Sequence, residues 1–361
     1  MFNEIGSNFY LNTIEGMPRV EYDNYNDTRQ HVFLDTGRSA IRLALDNIDV
    51  GRKVAILPMY TCHTVIQPFI EHGYEISFYD IDFHFQVDID EFKQLINEVK
   101  PSVILVHAYF GFDTLIGIRE YLKTLRNHGI YILEDITQSY LSNMDYETAN
   151  FYVCSIRKWL AIPDGGFLKS TSIEINKPSL LINEKYIKKQ KSAMLLKSEY
   201  IKKLNPNIKV QYNKIFGEAK RIIDNQTGIY EMSDLSKNLL QVSDIHEIKI
   251  RRKNNYYYLL QQLKDEKNIV IPLNICDENV TPLFFPIFIK NRMNLQKYMA
   301  QNNIYLPIIW PKSEFCVITS DSKSKYIYEN ILCIPCDQRY FENDMERVVS
   351  LLKKYLKEEE I

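Results

Sequence analysis

The amino-acid sequence predicts an α/β protein whose large domain has three layers, α/β/α, with helices covering a mostly parallel β-sheet. Short apolar runs alternate with segments of helical periodicity between residues 31 and 170, which is the pattern of parallel strands joined by crossover helices. The 361 residues suffice for a large domain and a smaller one. We predict a large domain with an N-terminal arm over residues 1–250 and a small C-terminal α/β domain over residues 251–361.

The individual elements follow from the apolar runs and their periodicity. In the large domain the predicted strands are 32–34, 54–57, 75–79, 103–107, 131–133, 151–155 and 166–170, and the predicted helices are 39–47, 64–72, 89–99 and 118–127. After a mostly helical stretch over 185–263, the small domain has predicted strands 282–289, 305–309 and 331–335 and predicted helices 294–302 and 344–356. Ligands of parallel sheets bind at the carboxyl ends of the strands, so residues just after the strands are the candidates for a site.

The composition is that of a folded protein, with 45% apolar residues, 25% charged residues and a net charge of -2. This charge gives no support for a nucleic acid or a membrane as partner. The N-terminus lacks a basic region followed by a long apolar run, so we expect a cytoplasmic protein. Six scattered cysteines predict reduced thiols. Cys333 and Cys336 form a single Cys-x-x-Cys pair in an apolar run, which favours a buried strand over a metal site.

Small residues open the first predicted helix. Gly37, Arg38 and Ser39 follow the first predicted strand. Glycine permits a tight turn there, and the backbone amides and the Ser39 hydroxyl at a helix N-terminus suit an anion such as a phosphate. A plain N-cap, with Ser39 only satisfying the helix start, fits the same residues equally well.

Two further strand ends carry residues whose roles stay open. Tyr60, Cys62 or His63 could lie over a planar ligand or could serve in packing. His107 follows an apolar strand, and a lone histidine in that place is more often a hydrogen-bonded structural residue than a catalyst. We predict the structural role for His107.

The sharpest signal is a pair of carboxylates, Glu134 and Asp135, placed directly after an apolar strand with Gln138 close behind. Burying a carboxylate costs free energy unless it has a partner. A protonated heteroaromatic nitrogen would be such a partner. Capping of a following helix is the alternative role for Asp135.

Lys158 stands between two predicted strands and precedes the apolar residues 159–162. Partial desolvation favours the neutral amine, which is the nucleophile that forms a Schiff base. An anion-binding helix start, a ring-contacting loop, a strand-end carboxylate and such an amine together suit pyridoxal 5'-phosphate (PLP), whose phosphate, pyridine nitrogen and aldehyde must all be held. We therefore predict PLP as the cofactor and no metal.

On these residues the sequence resembles the DegT/StrS-type nucleotide-sugar aminotransferases of the aspartate aminotransferase superfamily, over residues 6–340. In that family a Glu-Asp-x-x-Gln motif supplies an aspartate for the pyridinium nitrogen and a glutamine near the ring hydroxyl. These positions are Asp135 and Gln138 here. The family lysine is followed, seven and eight residues on, by two glycines, as Lys158 is followed by glycines at 165–166. The resemblance implies PLP fold type I.

The same resemblance places the phosphate-binding turn at Gly37, Arg38 and Ser39. Ser155 lies three residues before the lysine, as in the Ser-x-x-Lys of the wider superfamily, and this implies a phosphate role. At the family position where an aromatic ring stacks on the cofactor, this chain has Cys62. Either Cys62, the neighbouring His63 or Tyr60 therefore covers the ring, or stacking on the ring is weaker than in the family.

One family feature is missing. Typical members carry Asn-x-Arg before a Met-Ser-Asp sequence, and these side chains reach into the neighbouring subunit's active site. Here Ile229 and Glu231 stand at those positions, so the basic clamp is absent. The resemblance further implies a homodimer with shared active sites, in which residues 222–234 lie near the partner's Lys158.

The activity implied by the resemblance is PLP-dependent transamination. An amino acid, expected to be glutamate, would donate its amino group to a keto sugar, nucleotide-linked in typical members, for surface polysaccharide or other amino-sugar biosynthesis. Two alternatives stay open: PLP-dependent elimination, dehydration or transamination of a non-nucleotide substrate, and a non-catalytic protein of the same fold. Lys158 counts against a dehydratase, because the typical sugar dehydratase relative has histidine there.

Overall fold

The computed structural model describes residues 4–11, 28–144 and 146–359. Part of the predicted N-terminal arm, residues 1–3 and 12–27, lies outside the described residues. The strands are β1 (Ile5–Gly6), β2 (His31–Leu34), β3 (Val54–Pro58), β4 (Glu75–Tyr79), β5 (Val103–Val106), β6 (Tyr131–Asp135), β7 (Phe151–Cys154), β8 (Gly166–Ser170), β9 (Phe285–Phe288), β10 (Ile304–Tyr305) and β11 (Ile331–Ile334). The helices are α1 (Gly37–Asp46), α2 (His63–Glu71), α3 (Ile89–Val99), α4 (Arg119–Asn127), α5 (Glu184–Lys203), α6 (Pro206–Asp224), α7 (Asp234–Gln241), α8 (Ile245–Leu263), α9 (Arg292–Gln301), α10 (Ser324–Asn330) and α11 (Glu342–Glu359).

The predicted α/β class is confirmed, because strands β2 to β8 belong to one seven-stranded, mostly parallel sheet. All seven strands predicted between residues 31 and 170 are present, with ends that differ by two residues at most. The small-domain strands are shorter than predicted. The strand expected over 305–309 is only Ile304–Tyr305, and the prediction for 306–309 was wrong. Pro307 has no N–H to donate to a strand ladder, which ends this one.

The chain divides into two compact units, and each is described by itself. The first comprises residues 1–7, 50–150 and 244–361. Its part of the large sheet has the order β6-β5-β3-β4, in which neighbouring strands run parallel. It also contains the antiparallel pair β9 and β11 and the parallel pair β1 and β10. Strands β3 and β5 are buried along their whole length, as expected for parallel strands covered on both faces.

The second unit comprises residues 8–49 and 151–243. Strand β8 pairs antiparallel with β2 on one side and with β7 on the other. Helix α1 packs on β7 and β8, and α5 packs along α6. The division into domains at 1–250 and 251–361 stays a prediction. Within the described residues, no helix combines the length and the apolar character that crossing a membrane requires.

Candidate active site

Lys158 lies in a short 3₁₀ turn, Ile156–Lys158, that follows β7. Lys158 N donates to the Ser155 carbonyl at 3.3 Å, and Trp159 N donates to the Ile156 carbonyl at 2.9 Å. The side chains of Ile156 and Trp159 are fully buried, whereas Lys158 is exposed. The prediction that these apolar neighbours desolvate the amine was wrong for the single chain, because they pack into the core and leave the lysine at the surface.

The first turn of α1 lies against the end of β7 in the same unit. A Cβ added to Gly37 would come within 3.2 Å of Ser155 Cβ. A Cβ added to Gly166, the first residue of β8, would lie 2.5 Å from the carbonyl carbon of Thr36 and 2.5 Å from the Cys154 carbonyl oxygen. Only glycine lets these backbones approach so closely. The helix start, Ser155 and the strand that follows the lysine turn are thus packed together.

The cap of α1 is Thr36, not Ser39 as the N-cap alternative assumed. The Thr36 hydroxyl accepts a hydrogen bond from Ser39 N at 3.1 Å. The side chain of Arg38 donates to the carbonyls of Ile223 and Asp224 at 3.3 and 3.2 Å. An anion at this helix start would therefore meet backbone amides, since the first amides of a helix lack intrahelical partners.

Asp135 and Gln138 are buried residues of the first unit. Asp135 Oδ1 accepts a hydrogen bond from Thr137 N at 2.9 Å, so it bonds to a turn and caps no helix there. Burial raises the pKa of the Asp135 carboxyl above its usual value, and the bonds from Thr137 lower it. Gln138 Oε1 accepts from Phe110 N at 2.7 Å. Among the described residues, Gln138 Nε2 has no hydrogen-bond partner.

The loop before α2, together with the first residue of that helix, contains the three residues that could cover a cofactor ring, and they differ in burial. Tyr60 is fully buried and packs against Tyr109 and Trp310, with ring centroids 5.6 and 5.5 Å apart. Cys62 and His63 are partly exposed. His63 Nδ1 is 3.2 Å from the Ser313 hydroxyl. Cys62 and His63 thus keep the surface that a planar ligand needs, whereas Tyr60 belongs to the core.

His107 has the structural character that the sequence predicted. It is buried, and its Nε2 lies 3.2 Å from the Thr61 hydroxyl. Its ring meets that of Tyr109 edge to face at 4.4 Å. Burial lowers the pKa of His107 to about 3, because desolvation disfavours the imidazolium. The residue is therefore neutral at physiological pH.

Sequence reasoning missed a network of buried polar side chains in the second unit. The Asp35 carboxylate accepts hydrogen bonds from the Thr36 hydroxyl at 3.1 Å and from Gln226 Nε2 at 2.8 Å. The Asp164 carboxylate accepts hydrogen bonds from Ser233 N at 2.8 Å and from the hydroxyls of Ser233 and Ser236. These residues are far apart in sequence. The placing of Asp164 in a Pro-Asp-Gly-Gly turn was the only local signal.

The segment that lacks the basic clamp runs beside β2. Glu231 forms a bridge with Leu34, and its carboxylate pairs with Lys237 at 2.9 Å. At the position where the resemblance to the family expects an arginine, this chain has an acid that pairs with a lysine of the same chain. The position therefore supplies no cation to a substrate.

A mostly parallel α/β sheet, with a lysine turn packed beside a helix N-terminus, defines the class of PLP fold type I aminotransferases. The chain belongs to the DegT/DnrJ/EryC1/StrS aminotransferase family, whose model matches residues 21–353. It is accordingly an enzyme of an aminotransferase family that depends on PLP. No significant match was found among curated proteins.

Similar solved structures share the fold at low sequence identity. The aminotransferase TlmJ from Streptoalloteichus hindustanus is 16% identical with a TM-score of 0.68, covering 92% of this chain and 87% of that chain. The sugar aminotransferase CalS13 from Micromonospora echinospora is 14% identical with a TM-score of 0.61, covering 90% and 87%. The PLP form of the putative sugar aminotransferase Spr1654 from Streptococcus pneumoniae is 15% identical with a TM-score of 0.65, covering 91% and 87%.

In each unit, the candidate site residues have the chemistry needed to bind a part of PLP. Asp135 is a buried carboxylate with a raised pKa, and such a group gains from a cationic partner such as a protonated pyridine nitrogen. Gln138 has a buried amide donor to offer, and a ring oxygen is an acceptor. In the second unit, the close approach at Gly37 brings Ser155 to backbone amides of a helix N-terminus, which suits a phosphate.

Proposed function

We propose that this protein is a PLP-dependent sugar aminotransferase that moves an amino group from an amino acid to a keto sugar. The observation that carries the proposal is the packing of the Lys158 turn, Ser155 and the α1 N-terminus into one neighbourhood of the second unit. A phosphate-binding helix start beside a reactive lysine is what this cofactor needs. The family match over residues 21–353 supports it.

Each site residue has a role in this proposal. Lys158 would hold the cofactor through its amine and would carry protons as a general base and acid. Asp135 would keep the pyridine nitrogen protonated, and Gln138 would donate to the ring oxygen. The backbone of Gly37, Arg38 and Ser39, with the hydroxyl of Ser155, would hold the phosphate, because the buried Ser39 hydroxyl is already bonded to Thr36 and Gln226. When bound, PLP supplies the electron sink that stabilises a carbanion.

The proposed substrate rests on the similar solved structures and on the absence of the basic Asn-x-Arg clamp. Similar structures include enzymes described as sugar aminotransferases, which supports a keto sugar as acceptor. We propose glutamate as the donor. We propose a nucleotide-linked sugar for polysaccharide biosynthesis, a homodimer with shared sites, and a cytoplasmic location. The Glu231–Lys237 pair favours a second candidate, transamination of a substrate without a nucleotide, because this position offers no cation to a phosphate.

The proposal is tested by the visible absorbance that PLP acquires when it is bound to a lysine. Purified protein incubated with PLP should show this band, and Lys158→Ala should lose it. Lys169→Ala is the matched control, because Lys169 is an exposed lysine of β8 with no assigned role. A wild-type protein without the band, or a band that survives in Lys158→Ala, would overturn the proposal.

A half-reaction separates transamination from the other PLP chemistries. The loaded protein is incubated with glutamate alone, and the spectrum and the release of 2-oxoglutarate are followed. Loss of the lysine-bound band with stoichiometric 2-oxoglutarate supports an aminotransferase. The absence of such a reaction with any common amino acid would count against transamination and favour elimination.

A further inference from the structure

We propose that Asp164 is a positioning residue for Lys158: its buried carboxylate fastens the turn that follows the lysine to the N-terminus of α7. The inference rests on the proposed function of Lys158. It concerns a residue that makes no contact with substrate in the mechanism above and acts through the backbone.

The geometry around Asp164 is convergent. Ser233 N donates to Oδ2 at 2.8 Å, and the Ser233 hydroxyl donates to Oδ1 at 2.5 Å. The Ser236 hydroxyl also donates to Oδ1, and it accepts from Asp164 N at 3.2 Å. All three residues are buried. A single carboxylate therefore accepts from a backbone amide and two hydroxyls at the start of α7, and without it the buried Ser233 N–H would lose its carboxylate acceptor.

The turn that contains Asp164 is hydrogen-bonded to the turn that contains Lys158. The amide of Arg157, the residue before Lys158, is 3.4 Å from the Gly165 carbonyl, to which it donates. Gly165 N donates to the Asp35 carbonyl at 2.6 Å, and the Tyr186 hydroxyl donates to the Pro163 carbonyl at 3.2 Å. Gly165, directly after Asp164, is thus bonded both to the lysine turn and to the strand end before α1, and Pro163, directly before it, is bonded to Tyr186 of α5.

The consequence is a mechanical link between three parts of the second unit. The lysine turn, the residues that precede the phosphate-binding helix, and the segment 233–236 are connected through the turn that contains Asp164. A shift of about 1 Å in a reacting group can cost on the order of 10²-fold in rate. Loosening this turn should therefore affect how Lys158 meets the cofactor.

A merely structural role is the rival explanation, and the chain offers a matched control. Asp80 caps α10 in the first unit in a similar way. Its carboxylate accepts from Ser324 N at 2.9 Å, from Lys323 N at 2.6 Å and from the Ser322 hydroxyl at 2.8 Å, and the Ser324 hydroxyl also donates to it. Asp80→Ala removes a comparable set of bonds in the other unit.

The experiment compares wild type, Asp164→Ala and Asp80→Ala. Hydrogen exchange of peptides covering residues 156–166 is measured without cofactor, and the Kd for PLP is measured by titration. In Asp164→Ala we expect exchange in these peptides to be at least about 10-fold faster and the Kd to rise at least about 10-fold. Asp80→Ala should change neither, although it should lower the melting temperature.

Each outcome decides the proposal. If Asp164→Ala does not fold, Asp164→Asn and Ser236→Ala take its place, with smaller changes in the same direction. Unchanged exchange in residues 156–166, or equal effects in the Asp164 and Asp80 variants, would overturn the positioning role. If wild type binds no PLP, the proposed function fails, but the exchange data still decide whether Asp164 holds the lysine turn.

Discussion

The guanidinium of Arg119 donates to both carboxylate oxygens of Glu134, at 3.3 Å each. The same group donates to the two oxygens of Asp113 at 2.7 and 2.8 Å. Glu134 is completely buried and directly precedes Asp135 at the end of β6. A carboxylate this deeply buried stays charged only when a cation neutralises it. Arg119 therefore stabilises the strand end that carries Asp135.

We predict that Arg119→Ala lowers the free energy of unfolding by about 3–5 kcal/mol, because it removes the cation that neutralises the buried Glu134 carboxylate. Urea denaturation of the protein without cofactor measures the change. Arg29→Ala is the control, since the pair of Arg29 with Glu174 is mostly exposed, and it should cost about 1 kcal/mol or less. A loss below about 1 kcal/mol for Arg119→Ala would show that Glu134 does not depend on it.

Asp135→Asn should keep the fold and the bound cofactor but slow the half-reaction with glutamate by on the order of 10²-fold or more. An amide cannot hold a proton on the pyridine nitrogen as a carboxylate does. Stopped-flow absorbance after adding glutamate gives the rate. Asp88→Asn, at the exposed N-cap of α3, should leave this rate unchanged, and so a normal rate in Asp135→Asn would remove Asp135 from the mechanism.

Gly166→Ala should destabilise the protein strongly, with a loss of soluble protein or several kcal/mol, on the order of the strain of overpacking. The new Cβ would meet the Thr36 and Cys154 backbones at 2.5 Å. At Gly217, inside α6, an added Cβ has nothing within 4 Å, and alanine should stabilise the helix by about 0.5–1 kcal/mol. Opposite signs in thermal melts confirm the prediction, and a neutral Gly166→Ala contradicts it.

A pH dependence follows from Asp164. Burial raises the pKa of its carboxyl from the usual 3.8 to about 6, with bonds from Ser233 and Ser236 acting in the opposite direction. The folded protein thus binds this proton more tightly than the unfolded chain. Its contribution to stability is fully present below about pH 4 and is lost as the pH rises through about 6, a change of about 3 kcal/mol.

The measurement is the difference in unfolding free energy between wild type and Asp164→Asn from pH 4 to pH 7. An asparagine does not titrate, so the pH-dependent part belongs to Asp164. Wild type should lose stability relative to the variant as the pH rises. A difference that stays flat over this range would mean that the Asp164 carboxyl titrates near its normal pKa.

Local patterns were sufficient for the elements of the large sheet. The runs at β3 and β5 are continuous apolar segments bounded by breaks, and the predicted positions of β3, β4 and β5 agree with the structure within a residue. Strands that are buried on both faces consist almost entirely of apolar residues, and this makes them easy to recognise in a sequence. The small domain was harder to predict, because its strands have only two to four residues and depend on partners remote in sequence.

The candidate site was predictable where one segment carries the signal. Asp135, Gln138 and Lys158 stand out in short motifs, and the match to a known family rests on those motifs. The exposure of Lys158 was not predictable, because the packing of the whole core decides which of its neighbours are buried. Arg119 gave no signal either, since nothing in its own helix indicates the acid that it neutralises.

The sequence by itself determined the α/β class, the strand order along the chain and the residue types suited to PLP, because periodicity and strand-end chemistry are local properties. Only the tertiary structure decided that Thr36 caps α1, that Gly37 and Gly166 lie against neighbouring backbones, and that Asp164 bonds to Ser233 and Ser236. These relationships join residues up to about 130 positions apart, as Gly166 and Thr36 are. Such contacts form only when the folded backbone brings the segments together, and no local pattern encodes the distance between them.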